Sequence, residues 1–415
     1  MWIKRLGIIA LTLIGMILMS ISTIKAQLPK EKSKSSEKGK VEKVSEMKFV
    51  EKIKDVVICE EEIKKGLWKQ YPKVIIKKGG VSFFNADGKL KKEKELLKEN
   101  YISKSKNGKA IGVWEALEID KYKGVTKSKF TFINDEGNVV WAKEDIGQCL
   151  VSDDGETAVE LQSVLGDRSI SFYNSQGLIK RVYPLGDKRF GDGYGVFSGD
   201  GNYYAIVTSW PSVLVVYDNL GNELWRNEII ENRAYDINIS NRGNYIIVLT
   251  TSIEEKKGYV YCFGKDGNLM WKNEGLGGRN VCVFSPDEKY FLLTSQGKKE
   301  LNLFVAKTGK VVWKQSYEDK EIKKGLEKYI KLSSAAISPD GKFVVLSKKL
   351  APNIGKGIID HSGKPRYVYL FDKEGNIVWK EIFHSDPRVS ISPDGSKIYV
   401  TTEEGIYIYT NRFVE

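Results

Sequence analysis

The chain has 415 residues, 41% of them hydrophobic, with 66 Lys+Arg against 54 Asp+Glu, two His, four Cys, 39 Gly and 10 Pro. This is a globular composition, long enough for two or three domains or one large β architecture, and it excludes wholesale disorder, a collagen and a polytopic membrane protein. Two histidines leave little for a His-rich metal site or for the base of a Ser-His-Asp triad.

Lys4 and Arg5 precede an uncharged, mostly apolar run over 6–24. A basic start followed by an apolar run signals export, because the charge stays cytoplasmic while the apolar stretch enters the bilayer. Two outcomes stay open: a signal peptide over 1–26 cleaved after Ala26, or a retained anchor that tethers the protein through 6–24. Both place the body outside the cytoplasm, whether periplasmic, on the cell surface or secreted. Residues 27–54 contain nine Lys and five Glu with few apolar side chains. Such a stretch buries too little to offset its ordering entropy, so it reads as a solvated linker. Tail and linker account for most of the +12 formal charge. The folded part keeps only a mild positive excess, which argues against a nucleic-acid partner.

From residue 73 onward the chain repeats itself. One half-unit is an alternating strand, a tight turn with Gly and a second strand: Val-Val-Tyr-Asp-Asn-Leu-Gly221-Asn-Glu-Leu-Trp225 and Val-Tyr-Cys-Phe-Gly-Lys-Asp-Gly267-Asn-Leu-Met-Trp271. The same pattern surrounds Gly137 and Trp141, Gly309 and Trp313, and Gly375 and Trp379. Two copies keep the turn without the Trp: Gly88 is followed by Lys92, and Gly177 by Arg181. The other half-unit is a hairpin around Ser-Pro-Asp-Gly341-Lys or Ser-Pro-Asp-Gly395-Ser, with Gly201, Gly243, Asp287, Gly155 and Gly108 marking further copies. Pro presets the turn dihedral, Gly supplies the left-handed residue, and the Trp is an apolar payload that packs between neighbouring sheets.

Alternating these hairpins gives four strands per unit at the spacing of a propeller blade. The sequence therefore predicts an all-β fold: a single β-propeller of four-stranded antiparallel blades over 55–415, eight blades with seven as the alternative. The last unit is one strand short, and a strand from around residues 47–58 is expected to close the ring. Cys59, Cys149, Cys262 and Cys282 are widely spaced and read as buried small hydrophobes in strands, with Cys262–Cys282 the pair to test for a bridge.

Lys-Thr-Gly309-Lys-Val-Val-Trp313 and its cousins resemble the repeat of PQQ-binding-like propellers, which include quinoprotein dehydrogenases and outer-membrane assembly lipoproteins. The Ser-Pro-Asp-Gly341 and Ser-Pro-Asp-Gly395 turns resemble the WD40-like repeats of TolB-type periplasmic propellers. The resemblance covers about 73–411 and bears on fold, since propellers host unrelated activities. Quinoproteins of this family carry a vicinal Cys pair, and none occurs here. A sialidase Asp-box places its aromatic three residues after the Gly, whereas here Trp follows at four. The Gly-His and Trp-Asp dipeptides of true WD40 blades are missing, and no room remains for the hydrolase domain of an oligopeptidase. No catalytic residue, cofactor or metal ligand set is assigned.

In such a blade the first-to-second and third-to-fourth turns share one face, and these are all tight. The interblade and second-to-third links share the other face and hold the long segments 116–128, 183–194, 252–258, 316–331 and 349–366. Recognition is expected on that looped face. Arg189, Arg233, Arg279 and Arg388 fall just before inner strands and could ring the channel mouth with Tyr194, Trp210 and Tyr235, as anchors for carboxylate or phosphate groups. The competing reading has each Arg tie a link to a carbonyl or to an acid such as Asp386. His361 and His384 lie on the same face beside Asp360 and Asp386, and residues 317–332 have the spacing of a short amphipathic helix covering the rim. The functional expectation is a monomeric, non-enzymatic, extracytoplasmic scaffold binding a protein or peptide, with cell-envelope assembly as a setting. The alternatives are a propeller-type enzyme, quinoprotein-like or metal-dependent at the histidines, and a carbohydrate or cell-wall binder using Trp210.

Overall fold

The computed structural model describes residues 41–48, 53–57, 74–77 and most of 80–414. The longest stretches outside the described residues are 1–40, 58–73, 162–168, 184–192, 275–280, 317–329 and 351–365. The described chain forms eight antiparallel four-stranded sheets. Seven are continuous in sequence: blades I (53–95), II (100–144), III (149–182), IV (193–228), V (233–274), VI (282–316) and VII (330–383). Blade VIII takes its three inner strands from 388–411 and its outer strand from Val41–Lys48, which pairs with Gly405–Asn411. The ring of four-stranded blades expected from the repeat is thus observed.

The closing strand differs from its expected position. Val41–Lys48 lies inside the segment read as linker, while Ile53–Val57 is the first strand of blade I. Its Val-Glu-Lys-Val-Ser-Glu-Met-Lys sequence is too polar to announce a strand, because an outer strand needs apolar residues on one side only. The four residues 49–52 then carry the chain from blade VIII to blade I, as 145–148 do between blades II and III. Of the segment read as an amphipathic helix, Ile330–Leu332 begin the first strand of blade VII, and 317–329 lie outside the described residues.

The core is a series of layers between blades rather than one centre. Each apolar cluster joins two consecutive blades, such as Val207, Leu214 and Val216 of blade IV with Ile237, Ile246 and Val248 of blade V. Seven such layers connect blades I through VIII. At about 1.5–3 kcal/mol per buried large side chain, these layers are the main stabilising term.

The first turn of each of blades II–VIII is built around a buried serine. Ser198 donates to Asp200 (2.6 Å) and accepts from the N–H of Tyr203 (3.0 Å), and Ser285, Ser338 and Ser392 repeat the arrangement with Asp287, Asp340 and Asp394. The hydroxyl satisfies itself and the strand end together, which is why a polar residue is tolerated there. Burial alone would raise the Asp287, Asp340 and Asp394 carboxyls, but hydrogen bonds from the serine and from the N–H two residues on hold them below the usual value.

The outer strand of each of blades I–VII carries a β-bulge between turn and Trp position. In blade IV, Val216 opposes Trp225 and Tyr217 opposes Glu223, so Leu224 is the extra residue. The bulge accounts for the Gly-to-Trp spacing of four and turns the indole toward the next blade. There Trp225 Nε1 donates to Lys265 O (2.8 Å) and Trp271 Nε1 to Ala306 O (2.8 Å), each ring lying under the turn glycine of that blade. In blade III the register sets Lys180, not Arg181, opposite Phe172. Lys180 reaches Asn222 of blade IV (2.9 Å), and Lys92 of blade I reaches Asn138 of blade II (3.2 Å). A lysine hydrogen bond to the neighbouring turn thus replaces the indole in the two blades without Trp. Cys149 and Cys262 are buried, Cys282 is half-buried, and none of the three is bridged; Cys59 lies outside the described residues.

Candidate functional site

In blades II–VIII each first strand begins at the looped face and ends at its serine turn, so the upstream half of these strands surrounds the looped end of the central channel. A cavity of about 570 Å³ lies there, against the first strands of blades II–V. Blade II contributes Tyr101, blade III Cys149 and Leu150 with the preceding Gly147 and Gln148, blade IV Gly193, Tyr194 and Gly195, and blade V Asp236 and Ile237. Val159 and Tyr204 complete the lining from second strands. Among these residues there is one carboxylate and no Lys, Arg or His.

Local sequence explains the shape. Gly195 is required by close approach: a Cβ there would lie 1.9 Å from the Tyr204 hydroxyl. Glycine on both sides of Tyr194 leaves the blade IV wall as bare backbone at those two positions. In blade V the register slips between Ala234 and Asp236. That bulge sends Tyr235 toward the layer between blades V and VI and leaves Asp236 lining the channel.

Asp236 is half-buried, and its carboxylate accepts a hydrogen bond from the N–H of Ile237 (2.9 Å). Burial raises its pKa to about 6 despite that bond. Among the described residues no cationic side chain contributes to the shift.

A second acidic group supports the wall from behind. Glu160 is 1% exposed; its Oε1 accepts from the N–H of Gly147 (2.6 Å) and its Oε2 from the Tyr173 hydroxyl (3.0 Å). Burial, then the Glu160 charge, raises the Tyr173 hydroxyl and pushes the Cys149 thiol well up. Cys149 is therefore a thiol at neutral pH and no nucleophile. Glu160 fixes the linker that forms one edge of the cavity.

Of the residues predicted from sequence, Tyr194 lines the cavity. Arg233 is exposed at the start of blade V and Arg388 at the start of blade VIII. His384 is exposed, its carbonyl accepts from Arg366 Nη1 (2.8 Å), and Asp386 is ion-paired with Arg366 Nε. At that link an arginine ties a loop to an acid and a carbonyl, in the structural manner foreseen for arginines of this face. Arg189, Trp210, Arg279 and His361 lie outside the described residues. No three His, Cys, Asp or Glu gather as metal ligands among the described residues. Sequence reasoning passed over Tyr101, Asp236 and Glu160. Glu160 carried a signal: the corresponding residue is Val113, Ile206, Val248, Leu293, Leu346 or Val400 in other blades.

These features define the class: a β-propeller of four-stranded blades with an open axial site on its looped face. Among solved structures, the chain is similar to BamB from Moraxella catarrhalis, with a TM-score of 0.55 at 12% identity over 89% of this chain and 99% of that one. It is similar to the C-terminal WD40 domain of Sif2 (TM-score 0.55, 11% identity, 90% and 99% coverage) and to a eukaryotic initiation factor (0.54, 15%, 82% and 82%). The likeness spans PQQ-like and WD40 propellers alike and is one of fold. No family model matches the chain, and no curated protein matches it.

Proposed function

We propose that the protein is an extracytoplasmic, non-enzymatic scaffold that holds a polypeptide partner on the looped face of its propeller. The observation that carries this reading is the axial cavity, which lies where the first strands of blades II–V begin, at the end of the channel opposite the serine turns. A second feature supports it. The middle hairpin of blade II (Ala110–Asp120 with Gly124–Asn134) extends past the sheet on the same face and exposes Ile119 and Val125, which pair across its tip. Exposed apolar groups beside a concave site are what a partner surface needs, while the described turns of the opposite face are tight. The basic and apolar N-terminus supports a location outside the cytoplasm.

Site-directed photocrosslinking in the native envelope tests the reading. A crosslinker at Tyr101 or Ile119 is expected to trap a discrete protein species, and one at Glu136 or Glu374, on the tight-turn face, is not. Equal yields from both faces, or adducts to glycan alone, would overturn it.

A further inference from the structure

The cavity has a polarity that the looped-face reading does not itself require. The chain carries a formal charge of +12, yet the described lining holds one carboxylate and no basic side chain. Asp236 receives one hydrogen bond, from the adjacent backbone N–H, and its second oxygen has no partner among the described residues. A half-buried carboxylate without a counter-charge is costly, and such groups are normally paired. Glu160, by contrast, has both oxygens engaged, by Gly147 and Tyr173, and needs no further partner.

The remaining walls suit the missing partner. Tyr101 and Tyr194 line the space, and Tyr204, fully buried, lies beneath Gly195. Aromatic faces attract cations, above all the planar, weakly hydrated guanidinium. The glycines flanking Tyr194 admit a chain against bare backbone. The volume, about 570 Å³, exceeds one extended side chain and falls in the range of small-ligand sites. An anionic group would be repelled by Asp236, and a single carboxylate makes a poor metal site.

Resting on the looped-face reading, we infer that the cavity is a subsite for a basic side chain of the bound polypeptide: an arginine or lysine enters the channel mouth, its cationic group opposite Asp236 and its stem along Tyr101 and Tyr194. Asp236 is the counter-charge and the tyrosines are the walls. The site therefore selects which segment of a partner is gripped.

The test uses the full chain and a defined probe, acetyl-Gly-Arg-Gly-amide, titrated calorimetrically beside the same peptide with citrulline, a neutral near-isostere of arginine. The arginine peptide is expected to bind at least tenfold more tightly than the citrulline peptide, and Asp236→Asn to remove that difference. The citrulline comparison needs no variant, so it stands even if Asp236→Asn folds poorly. Equal binding of the two peptides, or no binding of either up to millimolar concentration, overturns the inference. Crosslinking of a protein at Tyr101 with no preference for basic segments would sink the subsite while leaving the scaffold reading intact; loss of all crosslinking would remove both.

Discussion

The carboxylate of Glu288 in blade VI accepts the backbone N–H of Arg242 in the turn of blade V, and its other oxygen accepts from Asn244 Nδ2. Glu288 stands where other blades place the turn glycine; its φ is +64° and it is 3% exposed. A non-glycine residue in the left-handed region costs about 1–2 kcal/mol, so the two bonds between blades must outweigh that strain.

Glu288→Ala keeps the strain and removes both bonds, leaving the Arg242 N–H without its partner. It is expected to destabilise the protein by about 2–4 kcal/mol in urea unfolding. Glu288→Gly removes the bonds but also the strain and should recover about 1 kcal/mol of that loss. An alanine variant as stable as the parent would show that the bridge contributes nothing.

The turn glycines of the outer hairpins are required to different degrees. At Gly267, φ is +85° and a Cβ would lie 2.8 Å from the Trp225 ring. At Gly177, φ is +108° and nothing lies within 4 Å. Gly267→Ala must distort both the backbone and the indole that donates to Lys265 O, and should cost about 2–4 kcal/mol. Gly177→Ala carries the backbone term alone, about 1 kcal/mol. Chemical denaturation of the pair checks the ordering, which packing between blades dictates and turn propensity does not.

Asp236 gives stability a pH dependence of unusual sign. Facing it are the Cys282 thiol of blade VI, pushed up by burial with Asp236 beside it, and the cavity tyrosines Tyr101, Tyr194 and Tyr204. Cys282, Tyr101 and Tyr204, each raised by burial, carry no charge at neutral pH. The native carboxyl titrates at about 6, against an ordinary aspartate value of 3.8. Between those values the folded state holds a proton that the unfolded chain has lost, so this group's contribution falls as pH rises from about 4 to about 6. Asp236→Asn should melt above the parent at pH 7.5, with the gap closing toward pH 4. A gap independent of pH would refute the assignment.

The N-terminal strand closes blade VIII through seven register pairs from Val41–Asn411 to Lys48–Gly405, with an Arg412–Glu42 ion pair at one end. The ion pair is a third exposed on both sides and is worth under about 1 kcal/mol. The strand itself covers an edge that would otherwise offer open N–H and C=O groups. A chain lacking 1–40 is expected to melt within about 2 °C of the full chain, and one lacking 1–48 at least about 8 °C lower. Similar melting of both chains would mean that closure is dispensable.

The legible part of this fold was periodic, and the hidden part was single residues that break the period. Turn glycines, buried serines and the Trp series recur and so predict blades. The bulge before each Trp was present as a spacing of four, but its meaning needs strand register. The closing strand was hidden because an outer strand buries little. Tyr194 could be picked out from its place before an inner strand, whereas Asp236 owes its position to a slip at Tyr235 that alternation does not reveal. Lys92 and Lys180 look like plain losses of Trp until their reach to the next blade is seen.

Glu160 offers the strictest test of how such a departure is tolerated. It replaces an aliphatic residue in the layer between blades II and III, where Cys149, Ala158 and Tyr173 are buried, and its charge is held by two donors. Glu160→Val restores the blade pattern but leaves the Gly147 N–H unpaired and takes the acceptor from the Tyr173 hydroxyl, which keeps only its donor Lys143 Nζ (3.3 Å); this should cost about 2–4 kcal/mol. Tyr173→Phe alone removes one donor and should cost about 1–2 kcal/mol. The double variant is the informative one: with the carboxylate gone, the hydroxyl has lost its acceptor and keeps only the Lys143 donor, so Tyr173→Phe should cost less in the Glu160→Val background than in the parent. Strict additivity in denaturant unfolding would mean that carboxylate and phenol act independently, and that the linker at Gly147 is positioned by packing alone.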